Sequence, residues 1–424
     1  MFSEQRIYPN GLKLIVNQTD SPLVCVLARV ETGVAYELKK YEGITSVLEK
    51  MLLNGTANYP SKNSLRSAVS AFGGEISVVG EYDCVRIYVK CLSKYLDKAI
   101  EVVSQVVFAS TFDSAELNDI KKTINSYRKA QKDSPFLLAY DNLREIMFSG
   151  TGLEKNFFGR KNSLNFVNTE SLKNFWHKSL CPKNMIISVS GGVEAENVYD
   201  SVLNSIYGKF VEFNGKKSKD ISHYENASKT RFVLDSKKIN QSRIIVGYST
   251  NGVSSKDYFS LMLMRHILSS QLKDMFSKND DVFLPGCYLN SYKNNGIFYI
   301  RFATDAERTT ENVKKISELI VKVFSNGISN ADFVAFKESF KTQYAKQFET
   351  QDGLCKVSAN HTEYFGFAFD MNYELDQIEK ITQGDCLKAF GKLLKKEPFM
   401  SVVGSSKVNE SLYFEFYNRI QTSL

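Results

Sequence analysis

At 424 residues the chain is too long for one ordinary hydrophobic core, so at least two domains are expected. Hydrophobic residues make up 43% and charged residues 24%, the balance of a globular protein, and no apolar run reaches the roughly 18 residues that span a bilayer. The formal charge of +7 is scattered, which excludes a nucleic-acid-binding stripe; Lys216-Lys217 and Lys395-Lys396 read as solvated loop or helix ends. Seven cysteines without a C-x-x-C pattern read as reduced, mostly buried thiols. His177, His223, His266 and His361 lie far apart, so no local histidine metal motif can be written. The opening Met1-Phe2-Ser3-Glu4-Gln5-Arg6 has neither signal-peptide nor transit-peptide character. The expectation is a bacterial-type cytoplasmic chain, periplasmic or mitochondrial only if a leader has been removed.

In chain order, Leu12 to Val16 and Val24 to Val30 read as strands separated by the turn residues Asp20-Ser21-Pro22. Next comes Glu42-Gly43-Ile44-Thr45-Ser46-Val47-Leu48-Glu49-Lys50-Met51-Leu52-Leu53-Asn54-Gly55-Thr56. Ile44, Val47, Leu48, Met51 and Leu52 recur at helical spacing and Asn54-Gly55 stops them, which predicts a helix of about three turns. A helix started by Pro60-Ser61-Lys62 and running to about Phe72 passes through Gly73-Gly74 into the strand Glu75-Ile76-Ser77-Val78-Val79, followed by the alternating strand Val85 to Val89. Helices are predicted from Leu96 to Phe108, from Ser114 to Lys132, from Pro135 onward and over 171–180. Met185 to Val189 is a strand, and a helix runs from Val193 to about Tyr207. Residues 211–230, polar and rich in Gly, Ser and Lys, read as a linker.

The second half then repeats the first. Arg86 to Lys90, the helix 96–108 and Thr111 to Leu117 find counterparts in Phe298 to Phe302, a helix from about Thr310 to Phe324, and Gly327 to Phe333, at an offset of about 210–216 residues. A repeat of that length is a duplicated domain. The expectation is an α+β chain of two homologous domains, residues 1–210 and 231–424, each with helices packed on one face of a mainly antiparallel sheet.

The segment from Glu42 to Thr56 resembles, without a gap, the zinc-binding helix of the insulinase and pitrilysin-type metallopeptidases, which include the mitochondrial processing peptidase. Those enzymes carry H-x-x-E-H there: two histidines four residues apart face one ion, and the glutamate takes a proton from the metal-bound water. Here the pattern is Ser46-x-x-Glu49-Lys50. The family's third ligand, a glutamate on a later helix, falls at Ser126, beside Asn125. Hydroxyls are poor zinc ligands and an ammonium repels a dication, so the metal-site positions Ser46, Lys50 and Ser126 are degenerate and Glu49 has no metal-bound water to activate. The bland role for Glu49 is an ion pair with Lys50, Lys121 or Lys122.

The resemblance covers essentially the whole chain and implies two halves closing like a clamshell. It also implies substrate contacts. Tyr288 stands where the family has a tyrosine that grips substrate carbonyls, and its arginine companion is replaced by Ser277 or, one position on, Lys278, a weaker point charge. Ile76, Ser77 and Val78 match a strand edge to which extended peptides add. No glycine occurs over 260–270, so the glycine-rich loop of the processing peptidase's α-subunit is missing. His266 and His361 read as packed side chains.

The resemblance thus implies a non-catalytic subunit, with no cofactor of its own, of a heterodimeric zinc peptidase. The partner would be a catalytic insulinase-type subunit carrying the zinc, and the substrate a peptide or unfolded polypeptide. Two alternatives stay open: a structural subunit like the core proteins of the respiratory cytochrome bc complex, or a divergent active zinc endopeptidase.

Overall fold

The structure, a computed structural model, describes residues 2–209, 228–277, 282–405 and 408–424. The strands β1 (Phe2–Ile7), β2 (Lys13–Gln18), β3 (Leu23–Val30), β4 (Glu75–Gly80), β5 (Val85–Leu92) and β6 (Met185–Gly191) form one sheet in the order β1-β2-β6-β3-β5-β4. β7 (Phe232–Ser236), β8 (Gln241–Thr250), β9 (Val282–Ser291), β10 (Gly296–Asp305) and β11 (Phe399–Gly404) form another, ordered β7-β11-β8-β10-β9. Each is antiparallel apart from one parallel pair, β2 with β6 and β7 with β11. Taken from β2 onward, the first sheet matches the second strand for strand, so the sequence repeat is a duplicated topology. Among the described residues, β1 alone has no counterpart. It escapes the sequence reading because Phe2-Ser3-Glu4-Gln5-Arg6-Ile7 shows no alternation, and main-chain pairing to β2 is what makes it a strand.

Each sheet anchors a compact unit. The first comprises Met1–Arg128, Lys155–Ile221 and Ala345–Asp370; the second comprises Lys129–Glu154, Ser222–Tyr344 and Met371–Leu424. The units therefore cut across the halves 1–210 and 231–424. Each includes a segment from the other half, and the two segments begin 216 residues apart (Lys129, Ala345) and end 216 apart (Glu154, Asp370). They are equivalent parts of the repeat. Most of the 211–230 linker lies outside the described residues.

The reason is that each sheet has two faces to bury. In the first unit one face carries Leu14, Val16, Val26, Ala28, Ile87 and Val89, covered by Ala99, Ile100 and Val103 of the helix Leu96–Phe108. Trp176, fully buried on the helix Thr169–Ser179, donates its indole N–H to Val107 O at 2.8 Å and ties a second helix to this layer. The opposite face exposes the alternate residues Ile15, Cys25, Leu27 and Ile186, which pack against Cys355 and Ala359 of the helix Gln351–Phe365. In the second unit the helix Pro135–Met147 lies against β11, β8 and β7. Gly247 is what lets it approach: a Cβ there would sit 2.9 Å from Leu143 Cδ2.

Polar bonds fix the seat of the helix Gln351–Phe365. Asn17, wholly buried, donates to Ser190 Oγ at 2.8 Å and accepts from Ser3 Oγ at 2.8 Å and Ser358 Oγ at 3.1 Å. Arg29, also buried, pairs with Asp83 at 3.0 Å and donates to Asn360 Oδ1 at 3.2 Å, while Tyr364 donates to Asp83 at 3.0 Å. All seven cysteines are buried free thiols. His266 packs beside Phe336 and Phe340 with Ser339 Oγ at 3.2 Å. His361 sits among Phe365, Phe367 and Phe369.

Replacing Asn17 by Ala removes the partner of the buried Ser358 and Ser190 hydroxyls and of the half-buried Ser3, and should lower stability by about 1–3 kcal/mol. The check is a denaturant midpoint that falls with the slope unchanged.

Candidate functional site

The helix aligned with the zinc-binding segment runs over Ile44–Met51, eight residues, shorter than the three turns expected. It begins at Gly43, whose φ of 90° is left-handed and whose Cα faces Gly159 and Leu164 so closely that a Cβ would lie 2.9 Å from either. Leu52 ends it, and Leu53 and Asn54 turn back on Lys50 and Met51 carbonyls. The free N–H groups at its start are taken by Glu37, whose carboxylate oxygens accept from Gly43 N at 2.8 Å and Thr45 N at 2.9 Å. Glu37 is buried, and burial pushes its carboxyl up to about 7 although the Thr45 and Gly43 N–H groups and Lys155 favour the charged form. Sequence reasoning missed Glu37, because it lies six residues before the N-cap, beyond the reach of any local capping pattern.

The degenerate positions are held as follows. Ser46 is buried and donates its hydroxyl to Gly43 O at 2.7 Å. Glu49 binds Lys50 Nζ at 2.7 Å with one oxygen and accepts the Gly80 N–H at 3.0 Å with the other. Gly80 closes β4, so the retained glutamate pins the end of that strand to the helix. Of the cations offered by the sequence, Glu49 takes Lys50; Lys122 pairs with Asp119 at 2.8 Å. Ser126 lies exposed on the helix Ser114–Asp133, off the buried stripe of Leu117, Ile120 and Ile124, and donates to Lys122 O at 3.1 Å within its own helix. Next to it, Tyr127 meets Phe158, which packs on Phe157, and Phe157 reaches within 3.4 Å of where a Gly80 Cβ would be.

These residues do not fit a catalytic zinc. A site of that class needs three imidazole or carboxylate donors with free lone pairs and one open position. Here one hydroxyl proton is committed to Gly43, the next position is a cation bound to the would-be base, and the third is a hydroxyl bonded to its own helix. Another acidic group, Glu81, Asp83 and Cys84, has donor atoms within 4.8 Å of one another, but it is compensated from inside the protein. Arg86 pairs with Glu81 and Arg29 with Asp83, and burial pushes the Cys84 thiol far up, which opposes the thiolate a metal requires.

β4, with Ile76, Ser77 and Val78, is a sheet edge, paired through those residues to Val89, Tyr88 and Ile87 of β5. Val78 is buried, and Ile76 and Ser77 are half-buried. Tyr288 lies on β9, the edge of the other sheet, with its ring stacked on Tyr299 (centroids 5.1 Å apart) and the Arg301 guanidinium 4.4 Å from its centre. Gly286 makes room for that ring, and the strand bulges just before it, at Leu284, where φ is 51°. Lys278 lies outside the described residues; Ser277 bonds back to Asp274 O at 2.8 Å. An arginine thus lies beside Tyr288, on the neighbouring strand and not in the tyrosine's own segment. Sequence reasoning missed Arg301, and only the β10–β9 register could have pointed to it.

Two mixed sheets of one topology, with a helix bearing a remnant glutamate against the edge strand of the first, define a duplicated peptidase-type scaffold. The family described as Insulinase (Peptidase family M16) matches residues 14–161, and the one described as Peptidase M16 inactive domain matches residues 167–340. The chain belongs to the M16, insulinase-type, peptidase family. It is 23% identical to an uncharacterized zinc protease of Bacillus subtilis, covering 83% of this chain and 85% of that protein. It is 21% identical to mitochondrial cytochrome b-c1 complex subunit 1 of Caenorhabditis elegans, covering 90% and 84%. The fold is shared with the crystal structure of a peptidase M16 inactive domain from Pseudomonas fluorescens, at a TM-score of 0.86 and 15% identity over 96% of this chain and 99% of that one.

Two tests follow from this geometry. Purified protein dialysed against buffer should retain no stoichiometric zinc by elemental analysis, whereas Ser46→His/Lys50→His/Ser126→Glu should retain about one ion per chain. For Glu37, the folded carboxyl titrates near 7 against an ordinary 4.5. The folded state then holds the extra proton between those values, and stability falls as pH rises from about 4.5 to about 7, by up to about 3 kcal/mol. Denaturant midpoints of Glu37→Gln should lack this slope.

Proposed function

We propose that the chain is a non-catalytic M16 subunit that works beside a catalytic insulinase-type subunit bearing an intact H-x-x-E-H. The observation that supports this best is the fate of Glu49. The residue that would act as general base in a zinc peptidase is neutralised by Lys50 and committed to the Gly80 amide, so it serves as a structural clamp between helix and edge strand. The partner supplies zinc and base. This chain supplies part of the wall around the substrate and a peptide-binding surface, for which β4 offers main-chain pairing around Ile76, Ser77 and Val78 without needing particular side chains. Tyr288, with Arg301 over its ring, is a second surface for an extended polypeptide. The site of action proposed is the bacterial-type cytoplasm.

A second reading rests on one comparison, the similarity over nine-tenths of this chain to a cytochrome b-c1 subunit: a scaffold subunit of a larger assembly. Company separates the two. Hydrolysis of a quenched fluorescent peptide should be absent with this chain alone and appear, or rise at least tenfold, on mixing with a co-purifying H-x-x-E-H chain; a chelator should abolish it. Activity of the partner that is indifferent to this chain, together with co-purification of membrane respiratory subunits, would favour the scaffold.

A further inference from the structure

The second sheet carries two arginines, Arg243 and Arg301, beside one aromatic ring. Arg243 of β8 and Arg301 of β10 lie on the same face, because Arg243 is paired with Ala303, two residues along from Arg301. Both guanidiniums approach one ring, Phe136, at 5.4 Å and 5.2 Å from its centre. Neither makes an ion pair among the described residues; Arg243 bonds only to Gln241 O at 3.2 Å, and Arg301 Nε is buried with no acceptor. Burial pulls the Arg243 guanidinium below its ordinary range, as expected of a cation without compensation. Two like charges sharing a ring, with a buried donor left over, make an arrangement that an anion would relieve.

The surroundings suit such a ligand. Phe136 stands in the first turn of the helix Pro135–Met147, which has no side-chain N-cap bond from Ser134 and no acidic residue in that turn. A cavity of about 450 Å³ opens there, lined by Pro135, Ile239, Asn240, Gln241, Arg243 and Asp305. Asp305 is the one acidic group on the lining. Beside the arginines are aromatic faces: Arg301 also covers Tyr288, which stacks on Tyr299, and Tyr299 meets Tyr140 at 5.2 Å. Forked guanidiniums next to stacked rings suit a carboxylate carried on a chain with apolar neighbours.

We propose that Arg243 and Arg301 form an anion site that takes a carboxylate, side-chain or C-terminal, of a bound acidic polypeptide. That the anion belongs to a polypeptide rests on the reading of the chain as a peptide-binding subunit; the arginine pair does not depend on it.

The test uses the full-length chain and two labelled decapeptides, one containing four glutamates and its counterpart with glutamines, measured by fluorescence anisotropy at low salt. The expected result is at least tenfold tighter binding of the glutamate peptide, lost in Arg243→Gln/Arg301→Gln and kept in Lys322→Gln/Lys395→Gln, which removes the same charge from exposed positions of the same unit. Arg243→Gln alone, at the half-buried cavity wall, should lose at least threefold and covers the case in which the double variant does not fold. Equal binding of both peptides by the native chain overturns the site and leaves the peptide-binding reading intact. Binding of neither overturns both. Equal loss in the lysine control shows general charge attraction and overturns the site.

Discussion

Each sheet of this protein presents two apolar faces, and the helices that follow its strands in sequence cover only one of them. The remaining faces are closed by helices from the opposite half, Gln351–Phe365 in the first unit and Pro135–Met147 in the second. Burial of Ile15, Leu27 and Ile186 supplies the driving force in the first unit, and the polar set around Asn17 and Arg29 supplies the register. Everything else, including both edge strands, hangs on sheets stabilised in this way.

The helix Ile44–Met51 is held at both ends by carboxylates. It starts at a left-handed glycine, lies against the edge strand and carries Glu49. With Lys50 beside it the carboxylate is satisfied from within the protein, and its second oxygen holds Gly80. Glu37 performs the corresponding service at the other end of the helix, exchanging a desolvation cost for two charge-favouring hydrogen bonds. A helix of eight residues needs such support, since it is too short to persist on its own hydrogen bonding.

Much of this was legible in the sequence, and the limits were physical. The helices Leu96–Phe108 and Ser114–Asp133 could be read from apolar spacing and turn residues, as could the repeat linking Arg86-Ile87-Tyr88 to Phe298-Tyr299-Ile300. β1 could not, because an edge strand is made by pairing and needs no pattern. The exchange of helices was hidden as well: an amphipathic helix announces that it has a partner, and nothing in Cys355 or Ala359 says that the partner is β3 and β6. Ser46, Glu49 and Lys50 could be put on one helix from the apolar spacing around them, whereas Glu37 and Arg301 take their contacts from residues that no local pattern points to.

The crossed routing of the chain bears on how such a protein can be divided. A cut between residues 209 and 228 falls in the stretch joining the halves, yet it would not liberate two self-sufficient domains, since each fragment would retain the cover of the other's sheet. Gene fission there, or a proteolytic nick, would yield pieces obliged to remain together. The repeated topology and the reciprocal trade of a helix thus make the two halves complementary parts of one fold.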